Sequence, residues 1–384
     1  YSNYWRYYYN NGGEGGDGTI YVSFIPNEIN FIQVGNDLSG ILFNTKLSYN
    51  GIDWIDSSNN PFSLLGSDVA HGTNNTIPDL GVYIWVMVGI DSSNNTIKYT
   101  DDQGITWNDA LNPFTGLYGN GRGVTWGKSS SQDNLWVAVG GDSSNNTIKY
   151  SYNGSVWINA NNSFYNGADG TGYGNCVAGG EDTNGNPLWV AGGVDISNNT
   201  IKYSNDGINW NNATNVFNQN CNGVSYGFTS NSNIWLATGL DSTGVTIKYS
   251  FNGSKWFNSN DSFDITGHDV DWGLDTSFNP IGICVGNDTS GNTIKYSYDG
   301  INWNNANNGF SGGGVGSTFT VSWGIDTSNN RVCVAGGTDN SGNLTTKYSY
   351  SGVDWIDTTN NTIFGSVIGI GSRVDTIIYK EPVN

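Results

Sequence analysis

Seven times the chain repeats one short unit: a strand ending in Lys-Tyr-Ser or a near variant, a glycine turn, and a tryptophan three residues after that glycine. The cleanest copy runs from Thr200-Ile201-Lys202-Tyr203-Ser204 through Asn205-Asp206-Gly207 to Ile208-Asn209-Trp210. The tryptophans are Trp54, Trp107, Trp157, Trp210, Trp256, Trp303 and Trp355, at intervals of 53, 50, 53, 46, 47 and 52 residues. Self-similarity at such a period means that one supersecondary unit is stacked many times over, because a single unit cannot bury its own apolar face.

The residue types fit a hairpin. Gly51, Gly104, Gly154, Gly207, Gly253, Gly300 and Gly352 stand where the turn needs positive φ, which glycine adopts at little cost. Ahead of each is a short acceptor, Asn50, Asp102, Asn153, Asp206, Asn252, Asp299 or Ser351. Asp, Asn and Ser can all accept from the turn's backbone amides, so their interchange suits a capping role and argues against a metal ligand. The tryptophan supplies a large apolar face for burial.

The copy Thr100-Asp101-Asp102-Gln103-Gly104-Ile105-Thr106-Trp107 resembles the Asp box, S/T-x-D-x-G-x-T-W, and the other six look like the same box shortened by one residue. The resemblance is to the Asp-box (BNR) repeat proteins, sialidase-like and sortilin-like, and covers nearly the whole chain. It implies an all-β fold, a single β-propeller of four-stranded antiparallel blades, with the box between the third and fourth strands. Asp102, Gly104 and Trp107, Asp206, Gly207 and Trp210, and Asp299, Gly300 and Trp303 are then scaffold residues, away from the face that is active in sialidases.

The strand pattern agrees. Inner strands carry Val-x-Trp-Gly or a variant, from Val69 to Gly72 (with His71 in the aromatic slot), Val124, Val177, Val224, Val270 and Val321. Second strands are apolar at consecutive positions, as in Trp136-Val137-Ala138-Val139, which fits burial on both faces. Joining segments keep Phe62, Phe114, Phe164, Phe217, Phe263, Phe310 and Phe364, expected to anchor between blades. One domain is expected over 1–384: an N-terminal strand and glycine-rich loop (1–18), seven repeats (19–362) and closing strands (363–384). In the first repeat Tyr21–Phe24 is expected to be the inner strand. Residues 368–379 align without gaps to 139–150, predicting a second and third strand at the C-terminus. Pairing of Tyr4–Tyr9 with Thr376–Lys380 would complete an eighth blade, the favoured count, with a seven-bladed ring as the alternative.

Net charge is −19, and seven of the ten lysines occupy one repeat position, so no basic patch is left for nucleic acid. No apolar run reaches the roughly 20 residues of a membrane span, so membrane insertion is not expected. The acidity favours solubility, and self-assembly stays open. The opening at Tyr1 without an apolar leader suggests a mature or trimmed product. Cys284 and Cys333 read as buried thiols, whereas Cys176 and Cys221 leave a bridge open. No cofactor is expected. Turns headed by Asp37, Asp91, Asp142, Asp195, Asp241, Asp288 and Asp339 offer oxygens for structural calcium, but a hydrogen-bonded Asx-turn explains them as well. Asn-x-Ser/Thr sequons permit glycosylation without showing it.

Sialidase-like catalysis would need three arginines around a carboxylate, and only Arg6, Arg122, Arg331 and Arg373 exist, on elements that do not obviously converge. Asp169, Asp269 and Asp271 leave a two-carboxylate glycosidase open. The expected recognition residues are Arg122, Asn175, Asn222 and His268, one inner-strand position that varies while its neighbours repeat, with Asp269 beside it. The sequence therefore points to a non-catalytic β-propeller, extracellular, at a cell surface or on a virion surface, acting as a structural or recognition module for a glycan or protein. The alternative is a glycoside hydrolase or lyase of sialidase-like architecture.

Overall fold

A computed structural model describes residues 4–9, 20–25, 29–37, 45–57, 61–74, 82–117, 119–131, 134–164, 172–310, 317–338, 346–359 and 364–373. Seven four-stranded antiparallel sheets form a ring, a β-propeller. Blades are numbered here by their tryptophans, from Trp54 (blade 1) to Trp355 (blade 7). Inner strands are Phe364–Ser372, Leu65–Asn74, Asn120–Lys128, Tyr173–Glu181, Asn220–Phe228, Thr266–Leu274 and Ser317–Ile325 for blades 1 to 7.

The hairpin forms as its residue types dictate. Gly207 has φ +71°, and its amide donates to Ser204 Oγ at 2.9 Å. Asp206 Oδ1 accepts from the amides of Ile208 and Asn209 at 2.9 and 2.7 Å. Burial pushes the Asp206 carboxyl up, but its bonds to Asn209, Ile208 and Ser204 outweigh that and hold it below the ordinary range. The Trp210 indole N–H donates to Gly207 O at 3.2 Å.

Trp210 does not merely cover its own hairpin. It packs on Leu135, Val137 and Val139, the second strand of the preceding blade, and Trp157, Trp256, Trp303 and Trp355 make the corresponding contacts in other blades. Six of the tryptophans are buried, whereas Trp107, in the copy with the extra residue, is half-buried. Phe62, Phe114, Phe164, Phe217, Phe263 and Phe310 are buried between blades, and the side chain of Phe364 lies outside the described residues.

The repeated lysines are buried rather than displayed. Lys98, Lys149, Lys202, Lys248, Lys295 and Lys347 each hold Nζ 5.3–5.7 Å over the ring centre of the phenylalanine that enters their blade. Five of them also pair with the head aspartate of the turn before the third strand, at 3.6–4.0 Å. The carboxylates of Asp91, Asp142, Asp195, Asp241 and Asp288 thus face lysine, and their Oδ1 atoms cap the turn amides of Ser93, Ser144, Ser197, Thr243 and Ser290. Asp37 and Asp339 fall among the side chains outside the described residues.

The ring closes with seven blades, which corrects the expectation of eight. Phe364–Ser372 pairs with Phe31–Asp37 as the inner strand of blade 1, so the C-terminal segment supplies the missing innermost strand, not a second and third strand. Tyr4–Tyr9 pairs with Ile20–Ile25 in a separate two-stranded sheet, so Tyr21–Phe24 is not an inner strand. Residues 374–384, including Thr376–Lys380, lie outside the described residues. Trp54 packs with Val332 and Val334 of blade 7, and Asp53 bridges to Thr359, leaving no room for a blade between them. The alternation of isoleucine and glycine in 368–371 misled the alignment, because inner and second strands share that period. Closure through this strand covers the edge of Phe31–Asp37 that would otherwise stand unpaired, which removes any need for a further blade.

Two outcomes follow from this packing. Trp210→Ala should cost about 3–5 kcal/mol in urea unfolding, the range for losing a large buried aromatic; a cost below about 1 kcal/mol would contradict the inter-blade role. Removing the chain from residue 364 onward should lower the melting temperature much more than removing residues 1–9, since only the first exposes the edge of Phe31–Asp37 in blade 1.

Candidate functional site

All seven inner strands line a central channel of about 640 Å³. Each carries a register shift at a shared place, between Gly66 and Asp68, Gly121 and Gly123, Gly174 and Cys176, Cys221 and Gly223, Gly267 and Asp269, Thr318 and Thr320, and Gly369 and Val367, and the inner strand of blade 1 carries a second between Ser366 and Phe364. The residues left unpaired at the shared place are Ser67, Arg122, Asn175, Asn222, His268, Phe319 and Ile368, the last with its side chain outside the described residues. A bulge frees one residue from the ladder and re-aims its side chain. The position singled out in the sequence for its variation is therefore a ring of bulges near the start of the inner strands, at one mouth of the channel.

The structure brings four of the five expected recognition residues into this ring. Arg122 lies 3.8 Å over the Tyr173 ring and donates to Asn120 Oδ1 at 3.3 Å and Asn175 Oδ1 at 3.2 Å. Burial lowers its pKa from the ordinary value, and Tyr173 opposes the shift. Asn175 Nδ2 donates to Cys221 O at 3.0 Å, and Asn222 Nδ2 to Gly267 O at 2.9 Å. His268 packs on Phe319 at 5.3 Å between ring centres, and its Nε2 has no hydrogen-bond partner among the described residues. Burial pulls the His268 pKa down to about 4, so the imidazole is neutral at neutral pH.

Asp269, the fifth expected residue, lines the channel one place beyond the bulge. Its Oδ1 accepts from Val270 N at 2.8 Å and its Oδ2 from Val321 N of the next blade at 3.0 Å, so it staples two inner strands together. Asp271 does the same one pleat on, taking Trp272 N, Trp323 N and the Ser225 hydroxyl. Asp68, missed in the sequence, is the third staple, between Val69 N and Val124 N. It precedes the valine of its inner strand just as Asp269 does, and that shared place was the available signal. Tyr173, the platform under Arg122, was missed too, since nothing local marks it. Deep placement in the wall pushes the carboxyls of Asp68, Asp269 and Asp271 up to about 7, 7 and 6. Asp169 lies outside the described residues.

His71 is buried, stacked on Tyr83 and tilted on Trp85. Cys176 and Cys221 are free thiols. Among the described residues no group of three or more His, Cys, Asp or Glu side chains could hold a metal ion. No helix is long and apolar enough to cross a membrane. Asp102, Gly104, Trp107, Asp206, Gly207, Trp210, Asp299, Gly300 and Trp303 lie on the hairpins, at the opposite face from the bulges.

Solved structures share the fold. A functionally unknown protein from Desulfotomaculum acetoxidans matches with TM-score 0.50 at 10% identity, over 89% of this chain and 99% of its own. A lectin from Burkholderia pseudomallei matches at 0.49 and 12%, over 87% and 99%. A xyloglucanase from Xanthomonas campestris matches at 0.44 and 14%, over 78% of this chain; the chain spans only 42% of that enzyme's length. At such identities the likeness is one of fold alone. No protein-family model matches the chain, and no curated protein does.

The staples give the protein an unusual pH response. A carboxyl raised from 3.8 to about 7 on folding favours the folded state while protonated, so its contribution is full below about pH 4 and lost as pH rises through 7. Urea unfolding should show stability falling by a few kcal/mol between about pH 4 and pH 8. Asp269→Asn should flatten that slope; an unchanged slope would mean that Asp269 titrates normally.

Proposed function

We propose that this protein is a non-catalytic recognition propeller, of the Asp-box type, that takes a glycan, or a protein surface, at the mouth of its channel. The observation that carries this reading is the ring of bulges. An invariant-looking wall presents at one register a guanidinium, two amides, an imidazole and a phenyl ring, with Arg122 held ready on Tyr173. Amide donors and acceptors beside aromatic faces suit the hydroxyls and C–H faces of sugars. The hairpin bonds of Ser204, Asp206 and Gly207 support the Asp-box assignment. Display outside a cell or on a virus particle is part of the proposal and rests on that resemblance.

Hydrolysis is the second reading, favoured by the raised carboxyls of Asp269 and Asp271. Both sit on one strand two residues apart, so they address a substrate from the same side. Glycoside hydrolysis needs carboxyls flanking the scissile bond. Both oxygens of each are also committed to backbone amides.

A glycan array together with a broad glycosidase screen tests the proposal. Binding without turnover is expected, and Arg122→Ala with His268→Ala should weaken it at least tenfold while leaving the melting temperature nearly unchanged. Turnover abolished by Asp271→Asn would establish the hydrolase instead. Binding untouched by the double variant would move the site away from the channel mouth.

A further inference from the structure

A second cavity, of about 900 Å³, opens on the opposite face, the one that carries the tryptophan hairpins. It lies across blades 6, 7 and 1, beside the aromatic slot of the inner strands. That slot holds Trp126, Tyr226, Trp272 and Trp323, each stacked on the glycine of the preceding inner strand; a Cβ on Gly273 would stand 2.3 Å from Trp323 Cδ2. In blade 1 the slot holds the small Ser372, which lines the cavity, and the ring that stacks on Gly324 comes instead from Phe31 of the second strand, whose Cζ a Cβ there would meet at 2.5 Å. Trp272 and Trp323 wall the cavity, and both indole N–H groups are buried without a hydrogen-bond acceptor.

Phe278 stands at the rim. It occupies the left-handed position of the turn headed by Asp275, with φ +63°, and is 73% exposed. The corresponding places in the turns of blades 4 and 7 are Gly185 at +77° and Asn329 at +62°, residue types that adopt this conformation readily. A bulky aromatic held there, with most of its surface in water, gains neither backbone ease nor burial. Strain of this kind, kept where it brings no packing, points to a ligand.

Charge narrows the ligand. The chain carries −19 and only four arginines, yet two of them, Arg331 and Arg373, line this one cavity. Arg331 makes no ion pair among the described residues, and Asp275 is the one acidic lining residue. That carboxylate is already occupied by the amides of Ser277 and Asn279 and by the Tyr298 hydroxyl.

We propose that this cavity binds an acidic sugar residue, with its ring face against the Phe278 and tryptophan side chains and its carboxylate on Arg331. A guanidinium matches a carboxylate with two parallel hydrogen bonds, and a sugar's C–H face is the complement of an aromatic wall. The site is separate from the channel mouth and does not depend on the reading given to that mouth.

The test uses the full chain and titration calorimetry with three probes: tri-galacturonate, the same trimer fully methyl-esterified, and N-acetylneuraminate. The esterified trimer should bind at least tenfold more weakly than the acid, and comparison with N-acetylneuraminate decides which class of acidic sugar fits. Arg331→Ala should lose at least tenfold in affinity with an unchanged melting temperature, whereas Arg122→Ala should have no effect on this binding. Phe278→Gly provides the readout that a structural residue would not give: it should raise the melting temperature by relieving the backbone, and at the same time weaken binding. Failure of both acidic probes to bind would overturn the proposal. So would equal binding of acid and ester, or binding that Arg122→Ala abolishes and Arg331→Ala spares.

Discussion

Everything in this ring depends on one contact, the tryptophan of each blade lying on the second strand of the blade before it. No sheet here can bury both faces alone, so each blade borrows an indole from its successor, and the last debt is settled by Trp54 on Val332 and Val334. The glycine turn follows from that need, since the indole reaches the neighbouring sheet only if the chain reverses tightly. Gly207 shows how close the fit is, because a Cβ there would meet Leu135 Cδ2 at 2.4 Å.

Much of this was legible in the residues, because repetition multiplies a weak local signal sevenfold. The glycine, the short acceptor and the tryptophan each announce a turn by their own chemistry, and their recurrence announces the stacking. Ring closure was not legible, since strand pairing between residues more than 300 apart leaves no local mark, and Ile370 fits an inner or a second strand equally well. The candidate site was half legible. Variation at Arg122, Asn175, Asn222 and His268 marked the position, but a bulge is a matter of register between strands and cannot be seen along one of them. The second bond of Asp269 was hidden for a similar reason, because the backbone amide of Val321 that it holds comes from 52 residues away.

The two faces of the ring differ for a physical reason. At the face of the bulges, the inner strands begin and the ladder is interrupted in every blade, so side chains can differ without disturbing the packed wall below. At the other face, the hairpins and aromatic slots are constrained by stacking, and variety enters only where a blade departs from the pattern, as at Ser372 and Phe278. The aspartate staples lie between, tying neighbouring inner strands where no sheet hydrogen bond can. Such carboxylates keep blades from sliding past one another, a direction that apolar contacts alone resist poorly.

The burial of the repeated lysines has a consequence for how the molecule meets its surroundings. With their ammonium groups enclosed between a phenyl ring and a carboxylate, these side chains are withheld from proteases that cut after lysine and from reagents that acylate amines. Among the described residues Lys128 and Lys255 are the exposed lysines. To anything outside, the described part of the ring presents a surface with few amines.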